Sequence, residues 1–469
     1  MHFWLFLFVF LVRLPILMQN KCVVVIGGGL AGLSAAIEAA TTSTATRVLL
    51  LEKEKQVGGN SAKATSGING VQRDQMEAFE QDTLQSGGGR SDMKLVHKLV
   101  EESNDALAWL KAQDATLDLS SVSQCGGHSQ PRTHRCPAKN GKPVPVGWRL
   151  IHALKQRAQG LSNIEIQTET PVQHLAPHEG SGWRINRAID ASALILATGG
   201  FGGDPHSELF RRYAPSGVAT TNGPWADGAG VQLGVTLGAA ARDLDQVQIH
   251  PTGFVDPADP DASTKFLAPE ALRAVGAILL NAHGRRFANE LARRDVLARA
   301  IQEQQGAVYL VMTDAMAEEF GKPTLGFYAA KHLFQQTDSL DHLSQQLHVT
   351  SDALLEEFSR YDSQHEKDDF GKTVFSPHPF IRGDGPSIYW VAQIIPCVHY
   401  TMGGLAMDTS AHVLNHDLQP IPGLFAAGEV TGGLHGRNRL AGNSLLECVV
   451  YGRTAGRNAV LYANDHISS

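Results

Sequence analysis

The first clear pattern of apolar positions is Cys22–Ile26, an unbroken and mostly β-branched run that ends on three glycines and leads into the alanine-rich stretch Leu33–Ala40. That order predicts a buried strand, a glycine turn and a helix. A second apolar run, "RVLLLEK", predicts a strand ending at Glu52. Leu95, Leu99, Ala106 and Leu110 recur near helical spacing and predict one helix over 91–113, with Ser91 as its N-cap. A helix at "GWRLIHALKQRAQ", short strands at "IEIQT" and "WRINRAID", and an apolar strand at Ala193 follow. The last apolar strand runs into "AAGEVTGG". Residues 248–398 lack such glycine turns and carry charged helices such as "TSDALLEEFSRYD". The expected architecture is α/β, with one domain from 21–247 and 399–469 and a second domain, 248–398, inserted in it.

Ahead of these elements, Phe3–Val12 is wholly apolar and is followed by Arg13 and the apolar Leu14–Met18. So short a run does not span a bilayer, and residues 1–20 read as a targeting segment or short anchor. An endoplasmic reticulum or secretory-route address, or a mitochondrial one, is expected; a misassigned start codon is the other reading. The 469 residues, 43% hydrophobic and 19% charged, suit a two-domain globular protein. The 47 glycines exceed the average of about 7% and cluster in motifs, as around a large cofactor. A net charge of −7 without a basic block argues against a nucleic-acid partner. Five scattered cysteines without a CxxC predict no zinc site, haem attachment or disulfide framework, so no metal is expected.

Gly27, Gly29 and Gly32 match GxGxxG between the first strand and its helix. They would supply a tight turn, close approach of backbone to a pyrophosphate, and close helix–strand packing. The pyrophosphate would rest on the helix N-terminus, where free N–H groups favour an anion. Glu52, about 20 residues on, stands where a carboxylate accepts from a ribose hydroxyl. Three further loops suggest close backbone approach: Gly59-Asn60-Ser61 running on to Gly67, Thr198-Gly199-Gly200, and Gly428-Glu429.

Together these segments resemble the FAD-binding domain of the flavoproteins that include the succinate dehydrogenase and fumarate reductase flavoprotein subunits. The resemblance covers the chain from Cys22 on. It implies a Rossmann-like FAD-binding domain with an inserted α+β capping domain that meets the substrate. It also implies that Asn443, Ser444 and Leu445 open a helix against the flavin, and that His128 and Arg132 of the loop "QCGGHSQPRTHR" lie near it. Membrane-bound members carry the flavin covalently on a histidine after the second strand. Asn60 and Ser61 stand in that region without a histidine, so FAD is expected to be non-covalent.

Four segments hold unusual residues: His250 in "QIHPTGF", Glu270 and Arg273 at i, i+3 in "APEALRA", Arg286, Glu290, Arg293, Arg294 and Asp295 in "GRRFANELARRD", and His399 in "VHYTMGG". Singly they are bland. A lone histidine is usually core or surface, and an i, i+3 ion pair contributes a few tenths of a kcal/mol. With Arg439 of "HGRNRL", their order resembles the soluble fumarate reductases and the flavin domain of bacterial flavocytochrome fumarate reductases. The resemblance implies that Arg439 and His399 grip one carboxylate of fumarate and His250 donates to the other. Hydride then passes from flavin N5 to one alkene carbon, Arg294 gives a proton to the other, and Glu270 with Arg273 returns that proton from solvent. Arginine is an unusual acid, but the developing carbanion is a far stronger base.

Two positions depart from the pattern. Pro269 stands where the bacterial proteins have a substrate-binding threonine, a loss of about 1 kcal/mol of hydrogen bonding, and Ala441 replaces a usual glycine. Pro269 therefore suggests weaker fumarate binding or a different unsaturated acid. Arg437 is given no role. The alternatives are a reductase of another unsaturated carboxylic acid, an L-aspartate oxidase-like enzyme, and a flavin-bearing sensor without turnover. The oxidase and the dehydrogenase subunits carry a further helical domain for which this chain looks short. No haem-attachment motif and no second GxGxxG are present, so reduced flavin or a separate reductase is the expected electron donor.

Overall fold

The computed structural model describes residues 21–139, 144–178, 182–381 and 387–465. The expected targeting segment, residues 1–20, lies outside the described residues. Among the described residues no helix is long and apolar enough to cross a membrane.

Strand Cys22–Ile26 lies between Ala193–Leu196 and Arg47–Leu51 in a six-stranded sheet. Ile164–Gln167 extends it on one side, and Pro420–Ala426 and the antiparallel His412–Leu414 extend it on the other. Alternate residues of the central strands enter two different cores. Val23, Val25, Val48 and Leu50 pack under the helices, whereas Val24, Ile26, Leu49 and Leu51 pack with Trp183 and Ile185 of a small three-stranded sheet. Burial of both faces explains why these strands read as continuous apolar runs rather than alternating ones.

Helices Leu30–Thr42 and Asn443–Asp465 pack closely on that sheet. A Cβ on Gly452 would stand 2.6 Å from the Ala31 carbonyl oxygen and one on Gly456 2.3 Å from that of Ala35, so the contact excludes any larger residue. The helix expected over 91–113 is two helices, Met93–Glu101 and Ser103–Gln113. Asp92, not Ser91, caps the first, accepting from Lys94 N–H at 3.0 Å. The break lets the first helix pack on Met76–Ser86 and the second on Val146–Gln159, two surfaces that one straight helix would not cover together.

The inserted region builds its own antiparallel sheet in the order Val247–Phe254, Tyr389–Thr401, Val308–Thr313, Ile278–Leu280. Its separate core gathers Phe254, Leu310, Met312, Phe334, Phe358 and Phe380. The chain enters and leaves this region on adjacent strands, paired from Val247↔Thr401 to Phe254↔Ile394. The ladder thus straddles residues 248 and 398. Beneath the sheet, Glu290 is fully buried and accepts from Arg286 at 2.8 and 2.9 Å and from Lys372 at 2.9 Å, while Arg286 also donates to Asp368 at 2.8 Å. Removing the central carboxylate leaves two desolvated cations short of a partner. Glu290→Ala is expected to destabilise the protein by about 3–5 kcal/mol in urea unfolding. A loss below about 1 kcal/mol would show that the network is not what holds this region together.

Candidate active site

The four parallel strands Cys22–Ile26, Arg47–Leu51, Ala193–Leu196 and Pro420–Ala426 deliver Gly27, Glu52, Thr198 and Gly428 to one edge of the sheet. Ligands of open α/β sheets bind outside such carboxyl ends. A cavity of about 490 Å³ opens there, lined by Gly27, Gly29, Glu52, Gly59, Asn60, Ser61, Gly67, Thr198, Gly199, Gly428, Glu429, Ser444 and Leu445. Gly32, Gly200 and Asn443 stand behind the lining. A Cβ on Gly32 would lie 1.8 Å from the Gly27 carbonyl oxygen, and one on Gly200 2.0 Å from Thr401 Oγ1. Asn443 accepts from Asn69 Nδ2 at 2.7 Å and donates to Thr83 Oγ1 at 3.2 Å, which anchors the start of its helix.

Several lining residues brace one another. Glu52 accepts from Gly28 N–H at 2.7 Å and Glu54 N–H at 2.9 Å, so it shapes the glycine turn. Ser61 Oγ accepts from Leu30 N–H at 3.3 Å at the start of the first helix. Asn60 Oδ1 accepts from Gly223 N–H and Trp225 Nε1–H, at 3.0 and 3.1 Å. Glu429 accepts from Thr401 N–H at 2.9 Å, yet burial raises its carboxyl to about 7. A Cβ on Gly199, at φ +78°, would meet no atom within 4 Å; the backbone there faces open space that a cofactor can approach closely. His128 and Arg132 are not part of the lining. Arg132 donates to Asp82 at 2.5 Å and to His128 Nδ1 at 3.0 Å, and His128 Nε2 donates to the Ala441 carbonyl at 2.9 Å, tying that loop to the "HGRNRLAGN" segment.

The inserted region and the segment after it supply the basic groups of the site. Arg294, His399 and Arg439 line the cavity, while His250, Glu270 and Arg273 are buried around it. Arg294 donates Nε–H and Nη2–H to Glu270 Oε2 at 3.0 and 2.8 Å. Glu270 Oε1 accepts from Gly126 N–H at 2.7 Å. The expected i, i+3 pair does not form: Arg273 donates to the Glu290 carbonyl at 2.6 Å and makes no ion pair with Glu270. The short helix Glu270–Ala274 places the two side chains toward different neighbours, and Arg294 from the next helix is better placed for the carboxylate.

His250 and His399 stand with ring centroids 5.0 Å apart. Burial, with the Arg294 charge, holds both rings well below the usual histidine range, hence neutral. His250 Nδ1 lies 3.1 Å from the Thr252 nitrogen and 3.2 Å from the Thr252 carbonyl oxygen, so it accepts from the one or donates to the other according to the tautomer. His250 Nε2 is buried without a partner, as is Arg439 Nε–H. Buried polar groups of this kind call for a ligand partner.

The sequence pointed to none of the groups that join these residues. Gln248 Oε1 accepts from Arg294 Nη1 at 3.0 Å and from Arg439 Nη2 at 3.1 Å, and its amide donates to Asn438 Oδ1 and the Arg439 carbonyl at 2.9 and 2.8 Å. Its position two residues before His250 on one strand, hence on the same side, was the available signal. Tyr400, whose ring lies 4.4 Å from Arg439 Cζ, adjoins His399 in sequence. Lys63 also lines the cavity and donates to the Thr221 carbonyl at 2.8 Å.

A glycine turn at a helix N-terminus, a carboxylate-braced edge and a second region roofing the cavity define a dinucleotide-binding flavoprotein. The FAD binding domain family model matches residues 23–445. The protein is 38% identical over 471 residues to the fumarate reductase of Schizosaccharomyces pombe, covering 94% of this chain and 90% of that protein. With fumarate reductase 1 of Saccharomyces cerevisiae the identity is 40% over 481 residues, covering 96% and 100%. The solved open conformation of a flavocytochrome c3 fumarate reductase matches with a TM-score of 0.74 at 30% identity, covering 95% of this chain and 79% of that one. The chain belongs to the FAD-binding flavoprotein family that contains the fumarate reductases, and FAD is its cofactor.

The Glu270–Arg294 pair has a measurable pH signature. Burial pushes the Glu270 carboxyl up, but the charges of Arg294 and Arg273 and the bonds from Arg294 and Gly126 outweigh it and hold it at about 2. Against 4.5 in an unfolded chain, the carboxylate adds stability above pH 4.5 that is lost as the pH falls through about 2. In urea unfolding, Glu270→Gln should lag the parent by a constant margin above pH 4.5, and the margin should shrink toward pH 2. A margin that does not vary with pH would mean that the carboxyl is not held ionised.

Proposed function

We propose that the protein reduces fumarate to succinate at the junction of the FAD cavity and the inserted region. The observation that carries this reading is a set of buried polar groups at and behind the cavity wall: His250 Nε2 and Arg439 Nε–H lack partners, and Arg439 forms no ion pair among the described residues. A flat dianion with a carboxylate at each end matches such donors, and the named relatives support the same substrate.

FAD held in the cavity would supply the hydride that one alkene carbon receives. Arg439 and His399 hold one carboxylate, and His250 donates from Nε2 to the other. Charging and turning that carboxylate draws electrons out of the double bond. Negative charge then develops on the substrate, and the cationic side chains stabilise it more strongly there than in the ground state. Arg294 transfers a proton to the second alkene carbon. Hydride and proton together make up the two hydrogens of succinate. Glu270, within 3.0 Å of Arg294, returns the proton; Arg273 assists through its charge rather than as a direct link. Pro269 precedes Glu270 with no donor of its own, so fumarate binds without a hydroxyl contact at that point. Electrons reach the FAD from reduced flavin or a separate reductase.

The test is anaerobic. The flavoprotein is reduced with one equivalent of dithionite, fumarate is added, and the flavin absorbance is followed. Oxidised flavin should return rapidly in the parent and roughly 10²–10⁴-fold more slowly in Arg294→Ala at equal flavin content. A flavin that stays reduced with fumarate but is reoxidised by another unsaturated acid would move the substrate assignment to that acid.

A further inference from the structure

Glu447 lies one turn into the helix Asn443–Asp465 and is 2% exposed. Its Oε1 accepts from the Tyr400 hydroxyl and its Oε2 from His435 Nε2–H. Tyr400 belongs to "HYTMGG" and His435 to "HGRNRL", so one carboxylate ties together the two segments that supply His399 and Arg439. The Tyr400 ring carries the Arg439 guanidinium 4.4 Å from its centroid and meets the His435 ring edge-on at 5.6 Å. His435 Nδ1 has no partner, so Glu447 is the ring's one hydrogen-bond partner among the described residues.

A direct salt bridge would occupy the donors of Arg439 and neutralise it. No such bridge is present among the described residues, and Arg439 keeps an unpartnered Nε–H. Negative charge is instead placed one side chain away, beyond the Tyr400 hydroxyl. A cation over an aromatic face whose hydroxyl donates to a carboxylate is attracted to the ring while its N–H groups remain free.

We propose that Glu447 is a positioning residue for the substrate carboxylate clamp: it fixes the Tyr400 ring against Arg439 and balances the guanidinium charge from a distance, so that Nη1 and Nη2 donate only to the neutral Leu440 carbonyl and Gln248 Oε1 and Nε–H stays unpartnered. The inference rests on the reading that Arg439 grips a substrate carboxylate. Several groups face Arg439. Burial and Arg294 pull it down to about 10, Tyr400, Glu447 and Glu429 pull it up, and His399 stands close by as a neutral ring. Loss of the Glu447 charge therefore moves the alkaline limb of activity to lower pH.

Fumarate reduction is measured with reduced methyl viologen as donor, over a range of pH, for the parent, Glu447→Gln and Tyr400→Phe. Glu447→Gln should keep the parent's flavin-to-protein ratio, raise the fumarate KM by about tenfold or more, change kcat less, and shift the alkaline limb down. Tyr400→Phe, which keeps the ring but cuts the tie, should raise KM in the same direction. Parent-like KM and alkaline limb in Glu447→Gln would overturn the proposal. If that variant does not retain flavin, Tyr400→Phe decides, and a parent-like KM there overturns it. A parent without fumarate turnover refutes the functional reading first. The clamp is then read from flavin absorbance on titration with fumarate, where binding equal in parent and Glu447→Gln, or absent from both, overturns the inference too.

Discussion

Two guanidinium groups, Arg294 and Arg439, are buried within hydrogen-bonding reach of a single amide oxygen, Gln248 Oε1. Like charges in a dry interior repel strongly, and each loses its hydration. The surrounding structure makes this arrangement tolerable and leaves Arg439 without a direct counter-ion among the described residues. Glu270 pairs with one guanidinium, the Tyr400 ring carries the other, and the neutral His250 and His399 add donors without adding charge. What remains is an excess of donors facing one space, which is what an anionic substrate needs.

The fold makes that cluster possible by building it from two regions. The parallel sheet brings its carboxyl-end loops to one edge, where glycines keep the backbone bare. The inserted region hangs from that domain by a pair of adjacent strands, and Gln248 and His250 lie on the first of them, His399 and Tyr400 on the second. The strand ladder therefore fixes the distance between the groups on its two strands. Beneath it, the Glu290 network holds the loop before Arg294, and through the Glu290 carbonyl it also holds Arg273. Packing of the inserted core and placement of Arg294 are thus one problem.

Local pattern carried the fold a long way. The βα glycine turn, the strand into Glu52 and the Ala193 strand were all legible because each rests on short-range rules. A bare turn needs glycine, a strand buried on both faces needs continuous apolar residues, and charged helices mark a different surface. The single helix expected over 91–113 failed because helical spacing persists across Glu102 while the two halves pack on different neighbours. Of the cofactor-loop residues, the bare backbone positions reached the cavity, whereas Gly32, Gly200 and Asn443 proved to be packing positions behind it.

The sequence alone determined which residue types were available: the glycine-rich clamps, two histidines at the ends of the insertion, and arginines with acidic neighbours. Only the tertiary structure decided who pairs with whom. Glu270 sits three residues from Arg273 yet binds Arg294, and Arg273 turns to a backbone carbonyl. Gln248, which joins two arginines, had only its strand position beside His250 to mark it, and Glu447, which joins two motifs, carried no local signature; their partners lie up to 191 residues away. Hydrogen bonds and ion pairs act over a few ångströms in space, and periodicity along the chain reports only the neighbours within a turn or a strand.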